Sequence, residues 1–280
     1  MRLVEELTFP EGPRWRDGRL WFSDIVWGRS DEGRVLAVDE HGKLDVVLER
    51  VPGGPPSGLG WLPDGRLLVV ATAGRTLLAA DADGTLTEYA DLTGLASFQL
   101  NDMVVDPSGR AYVGSCDVPG LPNPASSELI IVHPDGRAVV ADPAMRFPNG
   151  SVITPDGATL IVAETHGQCL TAFTIAGDGT LADKRVWASV PGQYPDGICL
   201  DQAGGVWFAD ARGRACVRVT EGGRVTNRVE TDQGCYACTL GGRDGRTLFV
   251  LTGVFRGRGE SPRPGRIDAY AVDVPGTGSP

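Results

Sequence analysis

The sequence predicts an all-β fold, a six-bladed β-propeller with four antiparallel strands per blade, and three observations carry that prediction. The first is composition: of 280 residues, 39 are Gly and 20 are Pro, residues that disfavour helix interiors and fill tight turns. The second is repetition. Six segments align with one another: PEGPRWRDGRLWFSD from Pro10, PSGLGWLPDGRLLVVAT from Pro56, LNDMVVDPSGRAYVGS from Leu100, PNGSVITPDGATLIVAET from Pro148, PDGICLDQAGGVWFADA from Pro195 and YACTLGGRDGRTLFVLTG from Tyr236. Their starts lie between 41 and 48 residues apart, the period of a propeller blade built of short strands. The third is the grammar inside each unit. An alternating strand runs to an Asp-Gly, Ser-Gly or Ala-Gly turn and then to an apolar strand, which is a hairpin signal.

The elements follow in order. In the first unit, strand A starts at the Pro-Glu-Gly of Pro10 and strand B holds Arg19–Phe22. Strand C spans Arg34–Asp39 and strand D Lys43–Glu49, joined by a His-Gly turn. The remaining units repeat this plan. Two strands are left over at the ends, Arg2–Leu7 and Arg266–Val272. They are expected to pair within one blade and seal the ring, because closure requires the last edge to be covered. One domain spanning residues 1–280 results.

Charge narrows the partners. Lys and Arg total 26 against 36 Asp and Glu, a net charge of −10, which argues against nucleic acid or an anionic membrane as a partner. No apolar run approaches the roughly 18 residues of a membrane span, and the opening MRLVEELTFPEG lacks the apolar stretch of a secretory signal. A cytoplasmic protein, a monomer or small homo-oligomer, is the expectation. The six cysteines are scattered among apolar residues and read as buried free thiols. Cys235 and Cys238 form one isolated Cys-x-x-Cys, with no second pair at zinc spacing, and core packing is the expected role.

Propeller topology then says which residues can meet. Every innermost strand A begins on the same face of the disc, so the residue just before it projects towards a common point. Down the repeats that position reads Glu11, Ser57, Asn101, Asn149, Asp196 and Ala237. Two carboxylates and two carboxamides offer oxygen ligands only, which suits a hard divalent metal ion, Ca²⁺ first, with Mg²⁺ or Mn²⁺ behind and Zn²⁺ also able to occupy oxygen sites. Each dipeptide taken singly is equally a turn former; the alignment of four is what points to a ligand ring. No Gly-x-Ser-x-Gly elbow, dinucleotide fingerprint or phosphate loop is present.

These residues also carry a family resemblance. FPEGPRW, LNDMVVDPSGR, FPNGSVITPDG and YPDGICLDQAGGVWFAD resemble motifs of the gluconolactonase/regucalcin (senescence marker protein) family of six-bladed propeller lactone hydrolases. The similarity runs from Phe9 to about Val250. It implies a divalent-metal site on Glu11, Asn149 and Asp196, with Asn101 contacting substrate and sometimes metal. It also implies hydrolysis of a lactone or related ester; the related diisopropylfluorophosphatase and paraoxonase propellers hold calcium on a similar set. One departure stands out: sugar-lactone members typically carry Arg two residues before the Asn of the third motif, and here that residue is Gln99. A neutral amide lacks the charged fork of Arg, which argues for a less polar or differently decorated substrate than a typical sugar lactone.

The loops joining strands B and C return to the same face and should wall the pocket: Asp24–Arg29, Ser115–Glu128, Glu164–Gln168, Ala211–Arg214 and Thr252–Gly265. They bring Trp27, Cys116, Asp117, His166, Phe255 and Arg256 near the site. Gln99, Cys116, Asp117, His166 and Phe255 are the substrate-binding candidates beside Asn101. For catalysis, water attacks a carbonyl polarised by the ion. Asp196 is the first candidate for general base and Asp102 the second, with a role in orienting a ligand as the alternative for Asp102. Two other readings stay open, a non-catalytic small-molecule-binding propeller with a structural metal and a phosphotriesterase-like hydrolase.

Overall fold

Along the inner strands apolar residues stand on both faces, as in Leu67–Ala71 and Val206–Asp210, which are buried throughout, so these strands must be covered on both sides by other sheets. The ring of blades meets that demand. The computed structural model describes residues 1–26, 33–116, 126–254 and 264–278. Its 24 strands form six four-stranded antiparallel sheets, and among the described residues there is no helix.

The first strand, β1 (Arg2–Leu7), belongs to the last blade. Blade 1 is β2 (Pro10–Arg16), β3 (Arg19–Ile25), β4 (Gly33–Asp39) and β5 (Leu44–Leu48). Blade 2 is β6 (Pro56–Trp61), β7 (Leu67–Ala71), β8 (Thr76–Ala80) and β9 (Leu86–Asp91). Blade 3 is β10 (Gln99–Val105), β11 (Ala111–Cys116), β12 (Ser127–Val132) and β13 (Ala138–Met145). Blade 4 is β14 (Pro148–Ile153), β15 (Thr159–Glu164), β16 (Cys169–Ile175) and β17 (Leu181–Ser189). Blade 5 is β18 (Pro195–Leu200), β19 (Val206–Asp210), β20 (Ala215–Val219) and β21 (Val225–Glu230). Blade 6 is β22 (Gly234–Gly241), β23 (Thr247–Gly253) and β24 (Gly265–Ala271), completed by β1 in the order β1-β24-β23-β22.

The expected closure is therefore present: β1 pairs antiparallel with β24, with Leu7 opposite Gly265. The core is divided by the ring into six apolar clusters, each between two neighbouring blades. Strand β7 shows how the alternation feeds two of them. Leu67, Val69 and Ala71 pack towards blade 1, and Leu68 and Val70 towards blade 3. The hairpin turns between the first two strands of each blade use the predicted glycines; Gly65, at φ +90°, adopts a conformation that only glycine enters without strain.

Thiols fill part of this core. All six cysteines are free; five are buried and Cys169 is half-buried. Cys199, Cys216, Cys235 and Cys238 pack in the cluster between blades 5 and 6, where burial pushes the thiols of Cys199 and Cys216 well above their usual range. No helix of the described residues is long and apolar enough to cross a membrane.

Candidate active site

The six innermost strands share an irregularity. Each interrupts its register with the next strand near its start, between Glu11 and Arg14, Pro56 and Leu59, Leu100 and Met103, Pro148 and Ser151, Pro195 and Ile198, and Cys235 and Ala237. A bulge of this kind bends the strand and re-aims a side chain. The sequence places the ring residues just before strand A; the structure puts them inside it, as the second residue of β2, β6, β14 and β18 and the third of β10. The Pro-x-Gly motif is thus a bulge within a strand: Pro56, Pro148 and Pro195 still pair and the residue after each departs from the ladder, whereas in β2 Glu11 pairs with Ser23 and the break follows it.

Blade 6 needs a second correction. Alignment puts Ala237 in the ring, but the bulged residue there is Tyr236. A Cβ built on Gly197 would stand 2.8 Å from the Cα of Ala237 and 3.2 Å from the carbonyl oxygen of Tyr236. On Gly150 it would stand 2.7 Å from the Cα of Gly197 and 2.8 Å from the carbonyl oxygen of Asp196. Ala237 therefore takes the glycine's place in the motif and Tyr236 the place of the residue before it. Tyr236 is half-buried, its ring centroid 4.5 Å from that of Phe9. The missing Pro-x-Gly in the sixth repeat is the only sequence signal of this shift.

The structure brings four expected side chains into one electrostatic unit. Burial comes first in pushing Glu11 well above the usual carboxylate range, followed by repulsion from Asp196 and Asp102. Burial likewise raises Asp196, with Asp102 adding to it and a hydrogen bond from Asn149 opposing it. Asn149 also donates its side-chain amide to Thr165 Oγ1 at 3.1 Å, and Thr165 donates to the Pro195 carbonyl at 2.7 Å. With the amide protons engaged, Asn149 Oδ1 is the atom left to act as a ligand. Ser57 donates to Asn101 Oδ1 at 3.5 Å, a long contact. Among the described residues no three His, Cys, Asp or Glu side chains converge as a ready metal cluster; the donor set of the ring is mixed carboxylate and carboxamide.

That set fits a hard cation. Glu11 is half-buried and Asp196 buried; Asp196 and Asp102 raise the proton affinity of Glu11, Asp102 raises that of Asp196, and the described residues supply neither Glu11 nor Asp196 with an Arg or Lys partner. Buried carboxylates crowded in this way are stabilised by a cation. Asp102 differs from them, because Arg14 Nη2 donates to its Oδ1 at 3.2 Å.

The rim residues separate. Gln99 stands opposite Cys116 at the paired ends of β10 and β11. His166 rests edge-on against Phe147 with ring centroids 5.1 Å apart, and its backbone N–H donates to the Arg146 carbonyl at 3.2 Å. Trp27, Asp117, Phe255 and Arg256 lie outside the described residues. The expected placement of the loops holds where it is described: Pro10 pairs with Asp24, Pro148 with Glu164 and Pro195 with Asp210, so each second strand ends beside a ring residue.

The profile of the SMP-30/Gluconolactonase/LRE-like region matches residues 9–254. The chain belongs to this family. It is 29% identical to the 6-deoxy-6-sulfogluconolactonase of Pseudomonas putida, over 96% of this chain and 93% of that protein. It is 27% identical to a pentonolactonase of Haloferax volcanii, over 96% and 92%. A solved gluconolactonase from Xanthomonas campestris superposes with a TM-score of 0.76 at 27% identity, covering 97% of this chain and 89% of that one. The family is one of lactonases and related hydrolases, and the ring of bulged residues lies within the matched span.

Proposed function

We propose that this protein hydrolyses a lactone or a related cyclic ester at the mouth of its central channel. The observation that carries the reading is the pair of acids, half-buried Glu11 and buried Asp196, held with Asn149 at equivalent bulges of a lactonase-family propeller. Glu11, Asn149 and Asp196 would hold a divalent metal ion, joined by Asn101, with Ca²⁺ the first candidate for this donor set. When bound, such an ion supplies Lewis acidity towards the lactone carbonyl and the developing oxyanion.

The chain's own residues do the rest. Asp196 accepts the proton of the attacking water, a role for a carboxylate already fixed in place by the Asn149 amide. Asp102, tied to Arg14, is better placed to orient Asn101 than to take a proton. Asn101 and Gln99 at the start of β10 contact the substrate, with Cys116 facing Gln99 across the sheet end and His166 on the rim of blade 4. Gln99 offers a neutral donor and acceptor where a fixed positive charge would favour a polyhydroxylated or anionic substrate.

The test is hydrolysis of a panel of sugar lactones, apolar lactones, thiolactones and aryl esters, before and after chelation and with Asp196→Asn. Turnover of at least one lactone, lost on chelation and reduced at least about a hundredfold by the substitution, is the expected result. Full activity in the chelated protein would remove the metal from the scheme. An ion bound without turnover of any ester would point instead to a binding protein.

A further inference from the structure

We propose that Arg14 is a built-in counter-ion that sets the charge of the site, so that the remaining carboxylates match a divalent cation; this rests on the metal reading above.

Three acids near the inner-strand bulges, Glu11, Asp102 and Asp196, influence one another electrostatically. Among the described residues only Asp102 has a cationic partner. The side chains of Arg14 and Asp102 are 11% and 9% exposed, and every described contact of the guanidinium is internal. Nη2 donates to Asp102 Oδ1 at 3.2 Å and to the Met103 carbonyl, while Nη1 donates to the Pro13 carbonyl at 2.8 Å. Asp102 Oδ1 also accepts the Met103 N–H at 2.8 Å. The pair reaches from blade 1 to blade 3 across blade 2, whose inner strand has Gly58 at the crossing. A Cβ there would come within 2.8 Å of Asp102 Oδ1 and 2.5 Å of the Met103 nitrogen. Arg14 also lines a cavity of about 40 Å³, together with Ser151, Cys199 and Thr239.

A guanidinium supplies a fixed positive charge, and a buried charge is tolerated only when paired. Once an ion is bound, its carboxylate ligands are deprotonated. Among the described residues three carboxylates then stand against one fixed positive charge, and a divalent ion completes their neutrality where a monovalent or trivalent ion leaves a surplus. Arg14 thereby discriminates between ions without touching them. The effect is an electrostatic one, acting through a medium of effective dielectric constant near 20.

The experiment measures binding of Ca²⁺ and of Tb³⁺, each added alone to the metal-stripped protein, by calorimetry and by terbium luminescence. The readout is the ratio of the two dissociation constants. Arg14→Met should shift that ratio about tenfold or more in favour of Tb³⁺, and Asp102→Asn should shift it in the opposite direction. The double variant, which leaves no orphaned charge, should return close to the original ratio. If Arg14→Met does not fold by circular dichroism, Asp102→Asn and the double variant carry the test. Binding by the unmodified protein with a ratio unmoved by Asp102→Asn would overturn this inference alone. Failure of the unmodified protein to bind either ion would overturn the metal reading and this inference with it.

Discussion

Asn149 illustrates how much one proposed ligand depends on neighbours that no motif records. Its amide donates to Thr165 and to Asp196, and Thr165 in turn is fixed on the Pro195 carbonyl, so a single hydroxyl ties blade 4 to blade 5 at the site. Replacing Thr165 by Val keeps the shape and removes both bonds, at a cost of about 1 to 3 kcal/mol for buried groups left unpaired. The expected outcome is a folded protein with a divalent-ion affinity reduced about tenfold, measured by calorimetry; unchanged affinity would show that Asn149 needs no such support. Gly150, beside it, is required by space. A Cβ there would approach the Ile198 nitrogen to 2.5 Å and the Gly197 Cα to 2.7 Å, so Gly150→Ala should lower the denaturation free energy by about 1 to 3 kcal/mol. The equivalent placement of Glu11, Asn149 and Asp196 at the strand bulges was legible in the sequence because Pro-x-Gly recurs at blade spacing. Thr165 and Arg14 were not, since their partners lie 30 and 88 residues away and nothing local marks them. Tyr236 was displaced by one residue in the alignment, as its repeat lacks the proline and glycine that fix the frame elsewhere.

Between the residue and the blade lies a device repeated at the ends of the second strands. Asp24 Oδ1 accepts the backbone N–H groups of Thr8 and Phe9 at 2.7 and 3.0 Å. Glu164 accepts that of Arg146 at 2.6 Å, and Asp210 that of Tyr194 at 3.1 Å. Each carboxylate pins the chain as it enters an innermost strand, and so fixes the bulge that follows. In blade 3 the task passes to Glu128 at the start of the third strand, which accepts from the Ser97 hydroxyl and N–H at 2.6 and 3.1 Å and from Ser115 Oγ at 2.6 Å. Burial acts to raise Glu128, but the bonds from Ser115 and Ser97 outweigh it and leave its pKa lowered. A carboxylate lowered in the folded state contributes stability above its unfolded pKa and loses that contribution as pH falls through the folded value. Glu128→Gln should therefore cost about 1 to 3 kcal/mol near pH 7, with the gap to the unmodified protein closing on acidification below the usual carboxylate range. Urea denaturation at a series of pH values checks this, and a gap independent of pH would assign the loss to packing instead. The strands themselves were readable from alternation and turn dipeptides. These pins were not, because an Asp or Glu at a strand end is equally a solvated loop residue until the neighbouring chain is seen.

At the scale of the whole ring, every blade depends on two neighbours, so stability rests on closure. The last blade borrows its outer strand from the first residues of the chain, and Val4 and Leu7 of β1 fill the cluster between blades 6 and 1 with Leu20, Phe22, Phe249 and Ile267. The six ring residues can share one site only while that seam holds, since Glu11 follows directly from β1 whereas Asp196 and Tyr236 come from the other end of the chain. Leu7, 1% exposed, is the most direct probe of the seam. Leu7→Ala should cost about 2 to 5 kcal/mol through lost burial and an unfilled cavity. A loss spread through the ring would appear as one cooperative transition at lower denaturant, monitored by circular dichroism and by ion binding together. Removing residues 1–7 goes further, because it uncovers the β24 edge as well as the cluster, and an uncovered edge invites association with other chains. The truncated protein should lose ion binding and associate into larger species on size-exclusion chromatography. A truncated chain that stayed monodisperse, with ion affinity intact, would show that the seam between blades 6 and 1 is dispensable and that the site is held by the inner strands alone.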